Sequence, residues 1–318
     1  MLKPNLIVGV FLVGLLVIDR NGVLGQEYPN KSIRIVTAPA GGGSDLISRL
    51  IAQGISGPLG QPVIVDNRAG VIPGEIVSRA PPDGYTLLAA GGSFWIEPFL
   101  QKSPYAPVKD FAPVTLATWS PNILAVHPSL PVKSVKELIA LARAKPGDLH
   151  FGSGGPGSNP HLSAELFKAM AGVDIVHVPY KGLGPALNGM IGNEVQLTFG
   201  SATSVLPHIR SGRLLDLAIT SPKRSAIAPS LPTMAEFLPG FEAGLLLGIF
   251  APSRTPDPII RRMNQEIVRA LQTSEVKEKV LSLGADPVGS SPAGLAAAIK
   301  SDMARWGRVI KDAGIRAE

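Results

Sequence analysis

Four short stretches carry the residue types and spacing in this chain that could do chemistry. They are residues 39–45, 91–93, 153–158 and 200–204, each rich in Gly, Ser or Thr and each placed after a run that reads as a β-strand. In open α/β sheets, ligands collect at the C-terminal ends of strands. Helix N-termini there expose backbone N–H groups that favour anions, and small residues let the backbone approach closely. Hydroxyls add hydrogen bonds. Loops of this kind can hold a carboxylate without an Arg or a Lys. A single such loop is as readily a tight turn; four at matching positions in two sets of elements point to a cleft.

Other chemistries find less support. Gly152-Ser153-Gly154-Gly155-Pro156-Gly157 satisfies G-x-G-x-x-G after a strand and before a helix, with Asp174 beyond it. Pro156, however, interrupts the turn whose N–H groups should face a pyrophosphate, and Asp174 precedes the next strand instead of ending it. No nucleophile elbow and no H-E-x-x-H motif occurs. His127, His150, His161, His177 and His208 show no metal-ligand spacing. The chain has no Cys, which excludes disulfides, thiolate catalysis, thiolate-bound zinc and iron–sulfur clusters. Neither a metal nor a cofactor is expected, and the protein reads as a non-enzyme.

The elements that position these loops alternate. Strands are expected at 32–37, 62–66 and 85–89, with helices at 44–55 and 76–80. A second set places strands at 123–127, 148–152, 175–178, 195–199 and 215–220. Its helices fall at 134–144, 161–171, 185–191 and 205–210. Ser134 and Glu137 form a capping-box pair. A Gly-rich strand at 244–251 leads into helices at 256–272, 274–283 and 292–313. The stripe Ile259, Met263, Ile267 and Leu271 reads as core packing. Alternation of this kind indicates an α/β chain with a parallel sheet and helices on both faces.

The 318 residues suggest two domains, and 45% hydrophobic with 17% charged residues suffices for packed cores. The net charge is +6, but the basic residues are scattered among acidic ones, so nucleic-acid binding is not expected. Lys3 followed by the apolar run 6–18 reads as a secretory signal, too short to span a bilayer, with cleavage after Gly25. An uncleaved anchor is the alternative. Without a Cys there is no lipid anchor, so retention needs an outer barrier and the expected location is the periplasm.

The chain also resembles the Bug/TctC family, the solute receptors of tripartite tricarboxylate transporters. The resemblance is carried by Tyr28-Pro29 with residues 31–35, the Gly41-Gly42 loop through Asp45, and Leu59-Gly60-Gln61-Pro62-Val63 with Asn67-Arg68. It continues through residues 83–87, 107–113, Pro160-His161-Leu162, Val178-Pro179-Tyr180-Lys181-Gly182, residues 206–209 with Gly212, and Ala218-Ile219-Thr220-Ser221. It implies a type II periplasmic-binding-protein fold: two lobes, each a central mixed sheet flanked by helices, with a cleft between them. Lobe 1 would comprise residues 26–122 and 245–318, and lobe 2 residues 123–244. The family's ligands are di- and tricarboxylates, acidic amino acids and aromatic acids, held by backbone amides, hydroxyls and water.

By position, Gly41, Gly42, Gly43, Ser44 and Asp45 would form the first wall of the cleft, joined by Ser93. Ser153, Gly157, Ser158, Tyr180, Ser201 and Thr203 would form the second. Asp45 either fixes its loop or meets an amino group of the ligand. The partners implied are a small carboxylate and the transporter's membrane subunits, with the receptor a monomer. A ligand-sensing receptor for a membrane signalling partner would share this fold; a secreted hydrolase or lyase is a further alternative. Two departures stand out. The loop after Asn67-Arg68 is shorter than the family's and carries Val71 and Ile72, and Phe94 and Trp95 follow Ser93. These two aromatics either line a less polar pocket, suiting an aromatic or mono-carboxylic acid, or pack in the core.

Overall fold

The structure is a computed structural model that describes residues 28–41 and 43–315. The signal segment with its cut after Gly25, and Gly42, lie outside the described residues. The chain opens with β1 (Ile33–Thr37), α1 (Gly43–Leu59), β2 (Val63–Asn67), α2 (Ile72–Ser78), β3 (Thr86–Gly91) and α3 (Gly92–Leu100). β1 lies between β2 and β3 and runs parallel to both. Crossover helices cover such a sheet on both faces, which is why Ile33, Ile35 and Val36 are all fully buried. The sequence predicts no helix at α3, because Pro98 and two adjacent aromatics obscure its period.

β4 (Phe111–Val126) is a single strand of 16 residues. The sequence predicts only its last part, at 123–127, as a strand, since Pro113 and Pro121 read as breaks. The register shifts next to Pro113, a bulge that accommodates a residue without an N–H. Beyond β4 come α4 (Val135–Ala144), β5 (His150–Ser153), α5 (Asn159–Ala171), β6 (Val176–Pro179), α6 (Leu183–Ile191), β7 (Leu197–Ser201), α7 (Ala202–Arg210) and β8 (Leu215–Ile219). Ser134 caps α4 by accepting from the Glu137 N–H at 3.2 Å, while the Glu137 carboxylate accepts from the Lys133 N–H at 2.7 Å. The reciprocal cap is therefore displaced by one residue from the standard box.

The last elements are β9 (Gly244–Pro252), α8 (Asp257–Gln272), α9 (Ser274–Ser282), β10 (Asp286–Pro287) and α10 (Pro292–Ala313). β9 inserts between β3 and β4, antiparallel to each. The sheet is thus mixed, in the order β2-β1-β3-β9-β4-β7-β5-β6, with β8 and β10 also pairing to β4. β4 changes partner at its middle: residues up to Pro121 pair with β9, and residues from Asn122 pair with β7.

At that switch sits a buried polar knot. The Asn122 N–H donates to Thr220 Oγ1 at 2.7 Å, and its side-chain amide donates to Ser163 Oγ at 2.9 Å and to Asn159 Oδ1. Asn159 in turn donates to the Gly244 carbonyl at 2.9 Å. Every member is satisfied, so the knot fixes the start of α5 against both long strands without leaving an orphan group. Met263, Ile267 and Leu271 are fully buried against Ile35, Ile47 and Ile51, so the α8 stripe is core.

Candidate functional site

Beside the partner switch lies a cavity of about 580 Å³, a size suited to a small molecule. Three helices start at it and each contributes a serine from its first residues: Ser44 of α1, Ser93 of α3, and Ser158, the residue preceding α5. The first N–H groups of a helix have no acceptor within it, and the helix dipole adds positive potential at the same end. In α5, Pro160 has no N–H, and the first i→i−4 bond runs from Leu162 to the Ser158 carbonyl at 3.0 Å. No Lys or Arg lines the cavity among the described residues. Gly157 and Ser158 close it from one side, and Pro39, Ser44 and Gly70 from the other.

The turn at residues 38–45 is held from behind. Asp45 is buried, and its carboxylate accepts from the Gly41 N–H at 2.8 Å, the Asn67 amide at 2.9 Å and Arg49 Nε at 2.9 Å. Asn67 also donates to the Ala38 carbonyl at 2.7 Å and accepts from Arg49 at 2.8 Å. Burial by itself would raise the Asp45 carboxyl, but these donors outweigh it and hold the group below the usual carboxylate range. Asp45 therefore fixes the loop, and it is not among the residues that line the cavity. Gly41 takes φ +84°, open to glycine and strained for other residues, and with Gly43 it flanks the lining.

The opposing turn rests on imidazoles. Ser153 is fully buried; its Oγ lies 2.7 Å from His177 Nε2 and accepts from the Gly155 N–H at 3.1 Å. His161 stacks on His177 at 4.0 Å between centroids, and Phe151 stacks on His177 at 4.8 Å. The Gly157 N–H donates to His161 Nδ1 at 3.0 Å, which requires an unprotonated Nδ1. Burial, then the neighbouring His177 and Lys168, push His161 down to about 4. Burial and Lys168 lower His177 as well. The two rings are therefore neutral and serve as a platform for the 153–158 turn. Nothing in the linear spacing of residues 153, 161 and 177 signals this stack.

Of the other residues singled out from the sequence, Tyr180 donates to Glu194 Oε2 at 3.0 Å, Ser201 bonds Ser204 at 2.7 Å, and Thr203 lies beside Gly284. None of the three lines this cavity, and neither does Ser153. Phe94 does line it. Trp95 is fully buried and donates to Asp302 Oδ2 at 2.8 Å, while Trp306 donates to the other carboxylate oxygen at 2.9 Å. Glu97, Gln101 and Tyr105 complete the α3 side and were not foreseen. The spacing of Ser93, Glu97 and Gln101 at four-residue steps would have placed them on one helical face, had the helix been recognised.

The family model for the tripartite tricarboxylate transporter family receptor, TctC, matches residues 47–315. Protein BugT of Bordetella pertussis is 37% identical over 302 residues, covering 92% of this chain and 93% of BugT. A solved structure of Rhodopseudomonas palustris Rpa4515 with adipate shares 36% identity and a TM-score of 0.78, covering 91% of this chain and 99% of that one. MatC from the same organism, with bound malate, gives 31% identity and a TM-score of 0.73, covering 89% and 100%. With a mixed sheet flanked by helices and this similarity along nearly its whole length, the chain belongs to the TctC family of solute-binding receptors, which are not enzymes.

Proposed function

We propose that this protein captures a small carboxylate in the cavity between α1, α3 and the 156–158 turn, and delivers it to the membrane subunits of a tripartite tricarboxylate transporter. The observation that carries this reading is the convergence of three serines at three helix starts on one cavity that no cationic side chain lines among the described residues. A carboxylate there takes hydroxyl and N–H donors without ion pairing. The binding residues are Ser44, Ser93, Gly157 and Ser158. Residues 26–122 with 245–318 form one lobe and residues 123–244 the other, hinged at the β4 partner switch. The mature receptor is a monomer, starts after Gly25 and works in the periplasm. Adipate and malate in related receptors support a carboxylate ligand.

The test is a thermal-shift screen on protein unfolded and refolded to strip carried-over ligand, against some tens of carboxylates. A ligand at ~100 times its Kd stabilises the native state by ~2.7 kcal/mol, a shift of a few degrees in Tm. Flat curves from folded protein across the panel would sink the reading. Co-purification with the transporter's membrane subunits, rather than a signalling receptor, tests the delivery step.

A further inference from the structure

The cavity wall carries one charged side chain among the described residues, the Glu97 carboxylate. It has no ion-pair partner among them. Its Oε2 accepts from the Tyr105 hydroxyl at 2.8 Å and its Oε1 from the Gln101 amide at 2.8 Å. Both donors are neutral, so they aim the carboxylate without cancelling its charge, and each oxygen keeps a free lone pair. Tyr105 is 7% exposed. Its ring occupies the space above Gly74 that any Cβ there would fill, and it stacks on Phe94 at 4.9 Å. Burial, and then the bond to Glu97, raise its phenol, so it remains a donor.

Glu97 stands one helical turn beyond Ser93 on the same face of α3, a separation of about 5–6 Å between Cβ atoms. The cavity is therefore polarised. Helix starts and hydroxyls gather where Ser93, Ser44 and Ser158 meet, and a fixed negative charge faces in one turn away. A dicarboxylate spanning this distance would set its second carboxylate against Glu97 in a site from which it displaces water, where like charges oppose each other most strongly.

We propose that the cavity selects a short amino acid with its carboxylate and its ammonium group at opposite ends, and that Glu97 is the specificity-determining residue that receives the ammonium. This rests on the cavity being the carboxylate site. The test is calorimetry at pH 7 on the refolded protein with three matched series: ω-amino acids, dicarboxylates and dicarboxylate monoamides of two to four methylenes. The expected result is at least tenfold tighter binding of the best ω-amino acid than of the dicarboxylate with the same methylene count, with the monoamide between. Glu97→Gln should abolish that preference and strengthen dicarboxylate binding at least tenfold. Equal or tighter dicarboxylate binding by the unaltered protein, a measurement that needs no variant, overturns the proposal while leaving carboxylate capture intact. An equal loss for all three series in a folded Glu97→Gln protein overturns it too, because the residue would then be structural. If no carboxylate of any kind binds the folded protein, the capture reading fails and this proposal falls with it.

Discussion

On one side of the cavity, the 38–45 turn hangs on an ionised carboxylate, Asp45, which charged and polar donors hold below its ordinary range. On the other side, the 153–158 turn rests on two stacked imidazoles that burial keeps neutral. Both solutions pin a Gly-rich turn beside the cavity, but they respond to acid differently. His161 is neutral when folded and titrates near 6.5 when unfolded, so protons favour the unfolded chain as pH falls from about 6.5 towards about 4. Asp45 is depressed when folded, so its contribution is full above the ordinary Asp value and is lost only as pH falls below it. Acid should therefore loosen the second wall before the first.

The largest expected effect tests whether the first wall is anchored in the core. Trp95→Ala removes a fully buried indole and one of the two donors to Asp302, and should cost about 3–5 kcal/mol in denaturant unfolding. An unchanged midpoint would mean that α3 is not held from behind. Next comes the acid response. Between pH 6.5 and 4 the protein should lose up to about 3 kcal/mol of stability through His161. His161→Gln should remove most of that slope, and hydrogen exchange should show the 153–162 segment opening first. A slope that survives the substitution would assign the acid sensitivity elsewhere. Asp45→Ala should cost about 2–3 kcal/mol, discounted because Arg49 is half exposed, and should weaken ligand binding by unpinning Gly41. The smallest effect is Ser93→Ala: stability unchanged, and carboxylate affinity reduced by about 1 kcal/mol, roughly fivefold, in calorimetry.

Where the sequence served well, local chemistry decided the outcome. Ser134 before a helical pattern, Gly172 at a left-handed C-cap (φ +60°) and the α8 stripe could be read because capping and periodicity are properties of neighbouring residues. Ser44, Ser93 and Ser158 sit in Gly/Ser-rich stretches after strands, and the fold brings all three to one cavity. What the sequence left hidden depends on non-local contacts. β4 was cut short because Pro113 and Pro121 look like breaks until β9 supplies a bulged partner. Tyr180, Ser201 and Thr203 read as cleft residues from their loops; that their side chains meet Glu194, Ser204 and the Gly284 turn is visible only in three dimensions. The significance of Glu97 depends on no cation lining the cavity beside it among the described residues, which only three-dimensional packing displays.

The position of β9 sets a timetable for the chain. It is the middle strand between β3 and β4, yet it is made after all of β4 to β8. A nascent chain that has reached residue 243 has the edges of β3 and β4 complete and nothing to place between them. Its α1 face also waits for Met263 and Ile267 to cover it. The pairing of β3 with β9 and of β9 with β4 therefore waits for roughly the last quarter of the chain, in the slow regime set by contacts between distant residues. A polypeptide that must thread a membrane before folding gains from such a delay, since the segment that locks it shut arrives last.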